Sequence, residues 1–282
     1  MNFKTKIIKI EGKNLEGFFQ NLITNDIKLL ENNQALYSAM LTPQGKFLAD
    51  FIIIKNKSFL FLETNSQNVN DVINLFSKYD LRKSLRISEA TDIKTYCFLY
   101  NDLPLDIQVQ LKKLKIIQND NFFIFSDPRK NDYLVRVWAN KKNIKNIPEY
   151  ISKKTPRKLF ELERIKKSIP DSFIDLEKEK SFILNFNFDK LNAISFKKGC
   201  YIGQENTSRQ NYRGKIKYLL KTVKLIEGTF PKINTDLFCN KTKVGVMKSH
   251  LENYGLVLLK SDDSIKDKLL ILDDYICKLK II

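Results

Sequence analysis

Asn192-Ala193-Ile194-Ser195-Phe196-Lys197-Lys198-Gly199-Cys200-Tyr201-Ile202-Gly203-Gln204-Glu205 is the stretch from which the rest of the chain is read. Apolar residues at Ala193, Ile194 and Phe196 lead into two lysines, and Gly199 and Gly203 bracket a cysteine, a tyrosine and an isoleucine. Glycine serves where the backbone needs positive φ or a close approach, so the spacing describes a shaped loop. A thiol at Cys200 beside Lys197 and Lys198 lies in a positive field. That field favours the thiolate, the nucleophilic and metal-binding form. The same residues also suit a small buried cysteine in an ordinary turn, and local chemistry leaves both readings open.

Downstream of Glu205, Arg209, Arg213 and Lys215 open a different texture. Short β-like runs at 216–225, 243–247, 256–259, 269–272 and 275–280 are separated by glycines and polar turns. That spacing predicts a compact antiparallel barrel and a boundary that divides the chain into 1–210 and 211–282. Upstream, residues 156–167 predict a helix with proline in its first turn. Ile107 to Leu114 has helical length and spacing, and strands are expected at 95–99, 122–125 and 134–138. Val69 to Lys78 predicts another helix, before the basic segment Leu81-Arg82-Lys83-Ser84-Leu85-Arg86. That segment is a solvated face or an anion contact.

At the start of the chain, residues 4–10 alternate as a strand. Leu15, Phe18, Phe19, Leu22 and Ile23 then fall at helical spacing up to the turn formers Thr24-Asn25-Asp26. Residues 37–41 and 46–54 predict two strands around Thr42-Pro43-Gln44-Gly45, whose proline and glycine suit a type I turn. On the second of these strands Asp50 shares a face with Leu48 and Ile52, so its carboxylate needs a partner or solvent. Ser126-Asp127-Pro128-Arg129 is a turn. Its arginine either holds the turn or binds a carboxylate through its planar fork.

With 282 residues the chain can bury a sizeable core, and its composition is that of a globular protein. No stretch is long and apolar enough to span a bilayer, and no secretory signal is evident, so a cytoplasmic location is expected. Cys97, Cys200, Cys239 and Cys277 form no Cys-x-x-Cys pair, and His250 is the sole histidine, so no metal or iron–sulfur ligand set is expected from one chain. The net charge of +17 admits two accounts. One is a polyanion partner such as RNA. The other is compositional bias toward scattered lysine, asparagine and isoleucine. No nucleotide-binding Gly-rich fingerprint is present.

Lys198-Gly199-Cys200-Tyr201-Ile202-Gly203-Gln204-Glu205 resembles the signature of the YgfZ family of folate-binding iron–sulfur cluster assembly proteins. That family lies within the superfamily of the glycine-cleavage T-protein, an aminomethyltransferase. Phe18 to Ile27, the Asp127-Pro128-Arg129 element with Arg136 beyond it, Ile169-Pro170 and Asp175-Leu176 resemble the same family. The resemblance implies an α+β fold, with a ring-like folate-binding region of ferredoxin-like subdomains followed by a C-terminal antiparallel β-barrel. It implies a folate-dependent assembly or repair factor for iron–sulfur enzymes that acts indirectly on tRNA thiomodification, and more a non-enzymatic factor than a transferase. The expected partners are client enzymes or cluster carriers and a tetrahydrofolate or derivative.

Under that resemblance Cys200 is the reactive thiol and Lys198 its electrostatic partner; Gly199 and Gly203 shape the loop and, with Tyr201, Gln204, Glu205 and Asn185, are assigned to cofactor binding. Asp50, Asn25 and Arg129 are assigned to the folate cavity. Two departures stand out. The superfamily's acidic pair is Ala49-Asp50 here, and Asn185 stands where the T-protein relatives have a pterin-recognising glutamate. An amide is a mixed donor and acceptor, weaker than a carboxylate on an aminopyrimidine edge. The rival functions are an aminomethyltransferase-type one-carbon enzyme and a basic RNA-binding module.

Overall fold

The computed structural model describes residues 5–142, 156–214, 216–261, 269–272 and 277–282. The chain packs as two compact units. The first is Met1–Leu41, Leu48–Arg157 and Leu191–Ile202; the second is Thr42–Phe47, Lys158–Lys190 and Gly203–Ile282. The residue 210 boundary expected from sequence marks where the all-β portion begins. By packing, residues 158–190 group with that portion, and the stretch 191–202 returns to the first unit.

The first unit contains two antiparallel sheets. In one, strands β1 (Thr5–Gly12), β2 (Leu36–Leu41), β3 (Phe47–Asn56), β4 (Phe59–Asn65) and β5 (Leu85–Glu89) lie in the order β2-β3-β4-β1-β5. Helices α1 (Leu15–Gln20) and α2 (Val69–Tyr79) cover this sheet, and Phe19, Val72 and Phe76 pack against Ile8, Ile10, Phe51, Ile53 and Leu62. Alternation on the strands and 3.6-residue spacing on the helices bring these side chains to one core. Helix α1 is capped by Asn14, whose side chain accepts from the Gly17 N–H. It stops at Gln20, before the expected Ile23, because Ile23 bridges to Met40 and the Thr24 N–H donates to the Ala39 carbonyl at 2.9 Å. The Thr42–Gly45 turn closes with a 2.8 Å bond from the Gly45 N–H to the Thr42 carbonyl.

In the other sheet, β6 (Ile93–Leu99), β7 (Ile116–Gln118), β8 (Phe122–Ser126) and β9 (Leu134–Asn140) run in the order β6-β9-β8-β7. Helix α3 (Leu105–Leu114) sets Ile107 and Leu111 against Phe98, Ile124, Val135 and Val137. It begins two residues before the expected start because Pro104 occupies its N-cap position.

In the second unit, helix α4 (Arg157–Lys166) carries a buried Arg164. It donates to the Ile169 carbonyl at 2.9 Å, Asp175 at 3.1 Å and Ser249 Oγ at 2.9 Å, fixing the long connection that follows the helix. Helix α5 (Gln204–Arg213) precedes six antiparallel strands: β10 (Tyr218–Gly228), β11 (Asp236–Cys239), β12 (Thr242–Leu251), β13 (Tyr254–Lys260), β14 (Leu269–Ile271) and β15 (Cys277–Ile281). Their order is β11-β12-β13-β10-β15-β14. Register shifts in the β10–β15, β11–β12 and β12–β13 pairings bend the sheet around a core of Val223, Leu237, Met247, Val257 and Leu279. The fold is therefore α+β with a C-terminal antiparallel barrel. Strand β11 had no counterpart in the sequence pattern. Lys215 and the first two residues of the run expected at 275–280 lie outside the described residues.

Candidate functional site

Residues 192–202 lie as a strap along segment 20–25 of the first unit. Asn25 Nδ2 donates to the Asn192 carbonyl at 2.7 Å, Thr24 Oγ1 to the Ala193 carbonyl at 2.6 Å, and the Ser195 N–H to the Thr24 carbonyl at 3.1 Å. At the far end the Ile202 N–H donates to the Asn21 carbonyl at 3.1 Å. Between these ties Lys198 does the holding. Its Nζ donates to the carbonyls of Gln20 at 2.7 Å, Ile23 at 2.8 Å and Asn25 at 2.8 Å, and lies 5.1 Å from the centroid of the buried Tyr201 ring.

Lys198 was expected to serve the thiol electrostatically. Instead its ammonium, only 8% exposed, uses all three N–H donors on backbone carbonyls. The end of α1 and the turn after it leave these carbonyls without helical partners, and a buried cation satisfies them. Burial pulls the Lys198 amine down to about 8, against the opposing pull of Asp26.

Cys200 is exposed, whereas Cys97 and Cys277 are buried and Cys239 is intermediate. Burial pushes the Cys97 thiol far up, past what the nearby Arg136 offsets, and raises Cys277 as well, so the reactivity order set by access puts Cys200 first. The two glycines of the signature separate. Gly203 has φ +82°, a left-handed conformation that caps α5. Gly199 has open space where a Cβ would stand, so its freedom is not used for shape. Gln204 begins α5, and Glu205 pairs on the surface with Arg209 at 2.6 Å, an i,i+4 contact of the helix.

The arginines of the Asp127 turn also face inward. Arg129 forms a fork on Asp127, Nε to Oδ1 at 3.0 Å and Nη2 to Oδ2 at 2.8 Å. Arg136 Nε donates to Asp127 Oδ2 at 2.9 Å, and its Nη1 reaches Glu63. Glu63 also accepts from Trp138 Nε1 at 2.7 Å. Burial alone would raise the Asp127 carboxyl, but the two guanidiniums outweigh it and hold the group well below the usual carboxylate range. Of the two roles left open for Arg129, the geometry gives it the turn. Glu63 and Trp138 were not flagged from sequence. A lone carboxylate in Phe59-Leu60-Phe61-Leu62-Glu63-Thr64 was the available signal.

Of the folate candidates Asp50, Asn25, Arg129 and Asn185, only Asn25 is on the lining of a cavity in the first unit. Asp50 is half-buried and accepts from the Tyr37 hydroxyl at 2.7 Å; burial, then the Asp50 charge, raises that phenol well above its ordinary value. Asn25 holds backbone, with its second Nδ2 hydrogen on the Tyr37 carbonyl at 2.9 Å. Asn25, Tyr37, Tyr100, Pro128, Asp132 and Asn192 are among the residues lining a cavity of about 690 Å³ in the first unit, with Lys112 and Lys115 also on its lining. Asn185 belongs to the second unit, in the 3-10 turn Ile183–Phe186. Four residues on, Asp189 Oδ1 is buried without a hydrogen-bond partner among the described residues. Among these residues no group of three or more His, Cys, Asp or Glu side chains is placed to hold a metal ion. No helix among them is long and apolar enough to cross a membrane.

A family model described as the GCVT N-terminal domain matches residues 4–98. The chain is 28% identical over 242 residues to a mitochondrial iron-sulfur cluster assembly factor IBA57 homolog of Neurospora crassa, covering 82% of this chain and 54% of that protein. It is 23% identical to the tRNA-modifying protein YgfZ of Buchnera aphidicola, covering 84% and 76% respectively. It is 22% identical to an aminomethyltransferase of Thermoanaerobacter, covering 90% and 76%. The chain thus spans about half the length of the first of these relatives. The glycine cleavage system aminomethyltransferase T of Bartonella henselae superposes with a TM-score of 0.78 at 12% identity, over 99% of this chain and 82% of that one, and so shares the fold.

Proposed function

We propose that this chain, which belongs to the YgfZ and IBA57 family within the glycine-cleavage T-protein superfamily, acts as an assembly or repair factor for iron–sulfur enzymes with a reduced folate as its cofactor. The observation that carries this is Cys200, an exposed thiol on a strap that is held at Lys198 before it and at Ile202 after it. One exposed cysteine supplies one ligand to a cluster passing through as cargo. The remaining ligands come from a carrier or client protein, since the described residues form no ligand set alone. An indirect effect on tRNA thiomodification follows through clients of that kind, and a cytoplasmic location agrees with it.

The first-unit cavity fits a folate in size, within the range of about 300–1,000 Å³ usual for small-molecule sites. Tyr37 and Tyr100 give the lining aromatic character, Asp132 adds a carboxylate, and Lys112 and Lys115 suit an anionic tail. When bound, the folate supplies an electron-rich reduced pterin. Against an aminomethyltransferase stand Ala49 in place of an acid and the hydrogen bond that ties the Asp50 carboxylate to Tyr37. Nothing in the geometry favours RNA over scattered charge.

The test removes the chain from its host and measures iron–sulfur enzyme activities, alongside calorimetry of the purified chain with 5-formyltetrahydrofolate. Lowered activities with measurable folate binding are expected. Unchanged activities would overturn the assembly role, and absence of binding would overturn the folate role.

A further inference from the structure

The strap that presents Cys200 and the wall of the cavity share the same residues. Asn25 lines the cavity, donates to the carbonyls of Tyr37 and Asn192, and gives its own carbonyl to Lys198. Asn192 lines the cavity too, and its Nδ2 donates to the Pro128 carbonyl at 3.1 Å, on a third lining residue. A route of buried or part-buried hydrogen bonds therefore runs from the cavity through Asn25 and Lys198 to a point two residues from the thiol. On either side of Lys198 the strap opens to solvent. Lys197, Gly199 and Cys200 are exposed, and nothing lies within 4 Å of a Cβ built at Gly199.

We infer that Lys198 is a positioning residue that couples the cavity to Cys200, so that what occupies the cavity at Asn25 and Asn192 sets how the thiol is presented. Lys198 acts as a clamp on three carbonyls and not through its field on the sulfur. A tetrahedral ammonium suits this role, because three acceptors converge on one charged donor. Coupling of this kind needs an element with two arrangements that both sites bias. The clamped and released strap supplies them. The ligand arm of this inference rests on the folate role proposed above; the coupling itself does not.

The test is a double-mutant cycle on the full chain, read as the rate of Cys200 alkylation by iodoacetamide. Lys198→Met and Asn25→Ala should each speed alkylation by roughly threefold or more, and the double variant should gain no more than the larger single effect. Circular dichroism checks folding. Lys198→Gln, which keeps two N–H donors, should restore part of the wild-type rate and replaces the methionine variant if that one does not fold. Effects that multiply, or an Asn25→Ala rate equal to wild type, would overturn the coupling. A slower rate in Lys198→Met would overturn the clamp and assign Lys198 to the sulfur's field. In a second arm 5-formyltetrahydrofolate should change the wild-type rate and leave that of Lys198→Met unchanged. If it changes both alike, the coupling through Lys198 is wrong. If calorimetry finds no folate bound to wild type, the folate role fails while the mutant cycle still decides the coupling.

Discussion

The Asp127 turn and the Cys200 strap both display basic residues in sequence, and they use them in opposite ways. In the turn, Arg129 and Arg136 close on Asp127 and Glu63, each donor set meets a carboxylate, and the two sheets of the first unit are joined through a buried charge network. In the strap, Lys198 meets no carboxylate. It satisfies three carbonyls, and the chain beyond it stays open with Cys200 on the surface. A closed network gives rigidity and takes its charges out of play. A clamp beside an open segment leaves one thiol exposed, which suits the role proposed for Cys200 above.

The sharpest way to break this contrast is Arg136→Met. It leaves Glu63 and Asp127 buried without their shared cation, and a loss of about 3–5 kcal/mol is expected in a denaturant titration. A loss below about 1 kcal/mol would show that the network contributes little. Asp127→Asn comes next, at about 2–3 kcal/mol near neutral pH by the same measurement. Its pH dependence carries a sign. The folded Asp127 carboxyl lies below its unfolded value, so its stabilisation is present above about pH 4 and is lost as pH falls from there. The asparagine variant should flatten that acid limb, and an unchanged limb would contradict the pairing.

Smaller effects sharpen the picture of the strap. Gly203→Ala forces a Cβ into φ +82° at the start of α5 and should cost about 1–2 kcal/mol. Gly199→Ala meets open space and should stay within about 0.5 kcal/mol of wild type. Thermal melts of the two variants side by side measure the difference. Equal costs would mean that both glycines shape the loop.

Periodicity recovered most strands and helices α1 to α4, because alternation and 3.6-residue spacing follow directly from burial of one face; α5, a polar helix with almost no apolar stripe, was missed. A closed turn at Thr42–Gly45 was also readable, from its proline and glycine. The direction of Lys198 was not legible at all. Its partners are backbone carbonyls more than 170 residues away, and carbonyls carry no sequence signature. Asp50 signalled a need for a partner, but Tyr37 became visible only once β2 lay beside β3.

Rescue by Cys200→Ser tests the central claim most directly. In a host lacking the chain, iron–sulfur enzyme activity is measured after supplying wild type or the serine variant at matched levels. Serine keeps nearly the same volume at an exposed position, so the variant should fold with an unchanged melting temperature. The account predicts that wild type restores the activity and Cys200→Ser does not. Full restoration by the serine variant would contradict it, and would leave the strap a structural element whose thiol has no part in the function.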